Sequence, residues 1–132
     1  MRDLERMFQG LGEGTRLRIL NLLLHGELCV CDLRHVLASA QPNVSRHLTY
    51  LKNAGLVLDR REGTRIYYRL ARPAEGVHKA LFAFLSEAFR RSDKLQDDTG
   101  KLKQAIRNGS CTVAEWRPFS ALTSPGTPTL HR

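Results

Sequence analysis

Gln41-Pro42-Asn43-Val44-Ser45-Arg46-His47-Leu48-Thr49-Tyr50-Leu51-Lys52-Asn53-Ala54-Gly55-Leu56-Val57 is the stretch from which the fold is read. It predicts one amphipathic helix, opened by Pro42 and closed by Gly55. Proline suits a first helical turn because its missing N–H would have no partner there, and glycine suits the left-handed residue just past the end. Val44, Leu48 and Leu51 fall at i, i+4 and i+7 and give the helix a core-facing side. Asn43, Ser45, Arg46, His47, Thr49 and Lys52 make up the other side, with no acid among them. Short hydrogen-bonding groups and bases on an exposed helix face are what major-groove readout of DNA requires. A surface helix that is merely basic is the plain alternative.

Charge separates the two. The 132-residue chain carries a formal net charge of +8. Residues 41 to 72 hold seven Lys or Arg (Arg46, Lys52, Arg60, Arg61, Arg65, Arg69, Arg72) against two acids (Asp59, Glu62), a net of +5. That clustering favours a surface that tracks phosphates over general solubility.

Upstream, Leu4, Met7, Phe8 and Leu11 predict a short amphipathic helix ended by Gly12 and Gly14. Thr15 is then placed to cap a second helix, Arg16 to His25, apolar nearly all round and therefore buried. A third helix is expected from the cysteines to about Ser39, with Val30, Leu33 and Leu37 inward. Two short helices joined by a tight turn form a helix-turn-helix. Downstream the period falls to about two: Val57 to Arg61 and Arg65 to Leu70 predict strands joined by Glu62-Gly63-Thr64, a basic wing.

After Pro73, the residues Val77, Ala80, Leu81, Phe84, Leu85, Ala88 and Phe89 keep the helical rule. This stripe is broad for a small protein whose core already has three helices. It is assigned, with Leu4 and Phe8 of the first helix, to a subunit interface contributed by Val77, Leu81, Phe84 and Leu85. The expected fold class is mainly α with a small β-hairpin: a dimeric winged helix-turn-helix. Residues 1-92 are expected to form the DNA-binding and dimerisation domain, 93-108 a C-terminal helical extension, and 109-132 a flexible tail rich in Gly, Ser, Thr and Pro.

No apolar run approaches the roughly 18 residues needed to span a membrane, and Met-Arg-Asp-Leu-Glu-Arg at the start lacks the hydrophobic segment of a signal peptide. The three cysteines, Cys29, Cys31 and Cys111, are an odd number, and the first two are too close for an ordinary disulfide. The expectation is a cytoplasmic protein with reduced thiols and no membrane partner.

Thiolates select soft metals and metalloids, and a helix N-terminus favours the thiolate. Within a regular helix, residues i and i+2 project about 200° apart, so capture of one ion by both sulfurs would require the first turn to distort. That helix supports the recognition helix, so ligand binding would disturb DNA contact. Two buried cysteines filling core space are the alternative. Cys111 is either a third ligand, from the same or the other subunit, or a spare thiol. His25 and His35 lie nearby in sequence, where a lone histidine is more often solvated or structural than a ligand.

Gly26-Glu27-Leu28-Cys29-Val30-Cys31-Asp32-Leu33, Thr15 to Leu20, Gln41 to Leu48 and the Arg61 to Leu70 wing together resemble the ArsR/SmtB family of bacterial metal-responsive repressors, in particular its arsenic-responsive members. The likeness covers about residue 4 to about residue 91. It implies a winged-helix homodimer that binds double-stranded operator DNA, represses an arsenic-resistance operon, and is released when trivalent arsenic or antimony binds Cys29 and Cys31. On that reading Gln41, Asn43, Ser45, Arg46, His47 and Thr49 face DNA from the helix, and Arg60, Arg61 and Arg65 from the wing. The family pattern often adds a third cysteine where this chain has Arg34, so either Cys111 substitutes or two sulfurs suffice and a methylated arsenical is preferred. A zinc site on the dimer helix is not supported, since His78 has no partner at the expected spacing.

From a different class, the runner-up is a DNA-binding regulator whose thiols respond to oxidants or are not sensory. An enzyme has little behind it: no Gly-rich phosphate loop, no His-Glu-x-x-His, and no catalytic cofactor. Ser45 and His47, two apart, cannot face each other on a helix.

Overall fold

A computed structural model describes residues 1–109. Cys111 and nearly all of the expected tail lie outside the described residues.

The helix predicted from Gln41 forms as expected. It is preceded by α1 (Arg2–Leu11), α2 (Gly14–Leu23), a two-residue strand β1 (Leu28–Cys29) and α3 (Val30–Leu37), and is itself α4 (Gln41–Asn53). Pro42 lies in its first turn, and Gly55 takes the left-handed φ of +78° just beyond its end. Val44, Leu48 and Leu51 are fully buried and join Ile19, Leu20, Leu23 and Leu33 in one core. Ala38, with φ +52°, ends α3 in the left-handed conformation and turns the chain into α4 within three residues. That completes the helix-turn-helix.

α2 begins two residues earlier than expected. Its cap is Glu13, whose Oε1 accepts the Arg16 amide at 3.0 Å, and not Thr15. Ile19, Leu20, Leu22 and Leu23 are buried on several sides of this helix, the arrangement that its near-continuous hydrophobicity demands.

The hairpin is β2 (Val57–Glu62) and β3 (Arg65–Leu70), paired antiparallel from Val57↔Leu70 to Glu62↔Arg65. Gly63, with φ +63°, supplies the turn. The sheet has a third strand that the sequence did not reveal. β1 pairs with β3, Leu28↔Tyr68 and Cys29↔Tyr67, giving the order β1-β3-β2. A strand this short has no alternation to read; only its pairing defines it.

α5 (Gly76–Arg90) divides its apolar residues. Phe82, Leu85 and Phe89 are in the core, while Val77 and Phe84 stand 60% and 65% exposed. Leu85 is therefore withdrawn from the candidate interface, because it points inward one turn past Phe82's side of the helix. Leu81 is partly buried, and on α1 Leu4 and Phe8 are exposed. α6 (Asp93–Arg107) packs on the same core through Leu95, Leu102 and Ala105. It is tied to α2 by Arg18, which forks onto the buried Asp98 at 2.8 and 3.1 Å, and by Asn21, whose Nδ2 donates to Leu95 O and Thr99 Oγ1. Among the described residues no helix is long and apolar enough to cross a membrane.

Candidate nucleic-acid interface and thiol site

The outer face of α4 is organised by side-chain hydrogen bonds within it and to the α3 and turn residues before it. Gln41, Arg46 and Thr49 are exposed, and Asn43 and Ser45 half-buried. Arg46 Nη2 donates to Asn43 Oδ1 at 2.6 Å, Asn43 Nδ2 donates to Ser39 Oγ at 3.0 Å, and Arg34 Nη1 donates to Gln41 Oε1 at 3.0 Å. These bonds hold the start of the helix in one arrangement without burying its polar groups. His47 does not belong to this face. It is only 9% exposed, because it falls at i+3 from Val44 on the stripe that faces the core. Its Nδ1 accepts from Arg16 Nη1 at 3.3 Å and lies 3.9 Å from Glu13 Oε1.

The wing arginines differ from one another. Arg60 is clamped by carboxylates: its Nε and Nη2 donate to Glu27 at 3.0 and 2.8 Å, and its Nη1 donates to Glu62 at 2.7 Å. Its guanidinium also lies 4.4 Å from the centre of the Tyr67 ring. Donating to Glu27, and then to Glu62, raises its pKa further. A cation matched by two carboxylates is a poor phosphate ligand, so Arg60 leaves the candidate set. Sequence reasoning missed this because Glu27 is 33 residues away. Arg61 and Arg65 are exposed, and their side chains have no ion pair among the described residues.

The cysteines correct a second expectation. Cys29 is the N-cap of α3 and not a helical residue; its φ of −80° and ψ of 156° are extended. The 200° separation of a regular helix therefore does not apply. The two Cα atoms are 5.3 Å apart and the sulfurs are joined as a disulfide, well within the reach of such a bridge and against the expectation of free thiols. Asp32 organises this cap. Its Oδ2 accepts the Cys29 amide at 3.1 Å, and Cys29 Sγ accepts the Cys31 amide at 3.1 Å, a capping box in which sulfur replaces the usual hydroxyl. The two sulfurs and an Asp32 oxygen lie within 4.8 Å of one another. Cys29 and Asp32 are buried, while Cys31 is exposed and opens onto a groove lined by Arg34, His35, Ala38 and Ser39. His25 is elsewhere, its Nε2 3.3 Å from Thr99 Oγ1 on α6. His78 meets the Gly55 carbonyl at 2.8 Å.

Residues 13–58 match the model of a family described as "Bacterial regulatory protein, arsR family". The chain is 49% identical over 65 residues to the arsenic resistance transcriptional regulator ArsR1 of Pseudomonas putida, covering 48% of this chain and 51% of that one. It is 49% identical over 67 residues to the arsenical resistance operon repressor of Escherichia coli, covering 50% and 57%. It thus spans about half the length of these curated relatives. Among solved structures it resembles a homodimeric winged helix-turn-helix DNA-binding domain from Mycobacterium bovis, described as a possible ArsR-family transcriptional regulator. That likeness has 37% identity and a TM-score of 0.58, and covers 66% of this chain and 78% of the other. With the winged helix-turn-helix in place and this likeness extending over most of a relative's length, the chain belongs to the arsR family of bacterial regulatory proteins, a family of regulators and not of enzymes.

Proposed function

We propose that the chain is a metalloid-responsive transcriptional repressor, which binds operator DNA as a homodimer and leaves it when trivalent arsenic or antimony binds Cys29 and Cys31. Gln41, Asn43, Ser45, Arg46 and Thr49 read or flank bases from α4, and Arg61 and Arg65 contact phosphates from the wing. Leu4, Phe8, Val77, Leu81 and Phe84 form the subunit interface, which hides surface costly to expose and supplies the second recognition helix that a palindrome needs. In the reduced protein two thiols condense with arsenous acid, forming two As–S bonds and releasing two waters.

One observation carries the reading. Cys29 ends β1, which pairs with wing strand β3, and also caps α3, which packs on α4. Any ligand that changes how Cys29 and Cys31 are held together therefore acts on both proposed DNA-contacting elements at once. The test is a titration of the reduced protein with arsenite while operator binding is followed. Stoichiometric release in the wild type, and none in a Cys29→Ser, Cys31→Ser double variant that still binds DNA, is the expected result. Release from the double variant would exclude this sensor.

The disulfide between the same sulfurs favours a second reading, in which an oxidant is the signal. Hydrogen peroxide would take two electrons and two protons from the pair, leaving a disulfide and two waters, and reduction would restore the dithiol. Release by peroxide and not by arsenite distinguishes it from the first.

A further inference from the structure

Arg16 is used by three helices at once. Its Nε donates to Gly10 O at 3.0 Å and its Nη2 to Gln9 O at 3.2 Å, two carbonyls at the end of α1 where intrahelical partners run out. Its Nη1 reaches His47 Nδ1 on α4 at 3.3 Å, and its guanidinium carbon lies 4.0 Å from the centre of the Tyr50 ring, also on α4. Glu13, whose carboxylate accepts the Arg16 amide, approaches the same His47 nitrogen from α2. Only a planar fork that also stacks on a ring satisfies all of these together; the three donors of an ammonium radiate from one nitrogen and cannot span these separated acceptors.

The backbone beside this clasp has no slack. A Cβ at Gly10 would meet Leu56 Cδ1 at 2.9 Å and Ala54 Cβ at 3.2 Å, so α1 lies directly on the segment that closes α4. The remaining face of α1 presents Leu4 and Phe8, 45% and 62% exposed. One guanidinium thus joins the helix that offers an apolar face to a partner subunit with the helix that offers a polar face to DNA.

We propose that Arg16 is a positioning residue for DNA recognition: it fixes the angle between α1 and α4, and through the dimer the separation of the two recognition helices. This rests on the dimeric, DNA-binding reading above. Two helices entering successive major grooves must stand about 34 Å apart, so a small rotation at this joint changes which half-site spacing fits. His47 is buried and the Arg16 donors are spent on protein groups, so loss of the clasp should blur spacing without removing phosphate contacts.

The probe is a duplex selected by the wild-type protein from a random pool, together with versions whose centre is lengthened or shortened by one and two base pairs. Arg16→Gln should lose about tenfold in affinity for the selected duplex, bind the altered spacings nearly as well as the selected one, and keep the wild-type salt slope. Arg16→Lys, which keeps a cation over Tyr50, should recover part of the preference. Should Arg16→Gln fail to fold by circular dichroism, Tyr50→Leu gives the same test from an exposed position. Folded variants that keep the wild-type spacing preference, or that lose affinity equally for every duplex including random ones, overturn the inference while leaving the repressor reading intact. A wild-type protein that selects no palindrome overturns the repressor reading itself.

Discussion

Cys29 stands across from Tyr67 in the ladder that joins β1 to β3. The Tyr67 ring lies beneath the Arg60 guanidinium, which in turn holds Glu27, two residues before Cys29. The candidate sensor and the wing are thus one small structural unit. On the other side Asp32 pins the Cys29 amide to the first turn of α3. A ligand that moves this cap would have two short routes towards the proposed DNA-contacting surface.

The wing prediction separates arginines that look alike in sequence. Arg61→Ala and Arg65→Ala should weaken binding to all duplexes, and each should reduce the slope of log affinity against log salt by about one phosphate contact. Arg60→Ala should leave that slope nearly unchanged, because its charge is already matched by Glu27 and Glu62. A salt titration of the three variants on one duplex decides it.

Assembly is checked by Phe84→Asp. Phe84 is 65% exposed and removed from the core, so the substitution should leave the fold intact while opposing burial of the α5 face against a second copy. Sedimentation should show the wild type as a dimer at micromolar concentration and the variant near 15.0 kDa, the mass of one chain, with weakened DNA binding.

Cysteine chemistry divides three ways. Cys29→Ser or Cys31→Ser should preserve DNA binding by the reduced protein and abolish release by arsenite. Serine keeps approximate shape and can still cap a helix, but is a hard donor. Cys111→Ser reports the coordination number. If it also blocks release, a third sulfur is required; if not, two suffice, and methylarsenite should release DNA at least as well as arsenite.

Stability should depend on pH through His25. Burial, and then the charge of Lys103, lower its pKa below the ordinary histidine value. The unfolded chain therefore binds this proton more readily than the folded one. Its contribution is fully present above the unfolded pKa of about 6.5 and is lost as pH falls towards the folded value. Urea unfolding between about pH 7 and pH 5 should show a falling midpoint, and His25→Gln should flatten it.

Breaking the buried Arg18–Asp98 pair should be costly. Asp98→Ala leaves a guanidinium without its partner in a setting only 25% exposed, and a loss of about 3 kcal/mol or more is expected by urea unfolding. A loss that large would make α6 part of the cooperative unit.

The sequence by itself determined the elements whose evidence is local. Val44, Leu48 and Leu51 repeat at helical spacing, Pro42 and Gly55 punctuate their helix, and the hairpin alternates around Gly63; each signal lies within one or two turns of chain. The same stretch placed Arg46 and Thr49 outward, but misplaced His47, which sits at i+3 on the buried stripe. Tertiary structure alone decided the rest. It supplied β1, which exists only through pairing with β3, and neutralised Arg60 with a carboxylate 33 residues away. It drew α6 onto α2 through a pair 80 residues apart, and brought two sulfurs together by placing Cys29 outside the helix that their spacing suggested. Periodicity tells which side of an element is apolar. Which distant group meets a given side chain is fixed only when loops close and the core packs, and the charge balance and cap geometry of the candidate site were settled there.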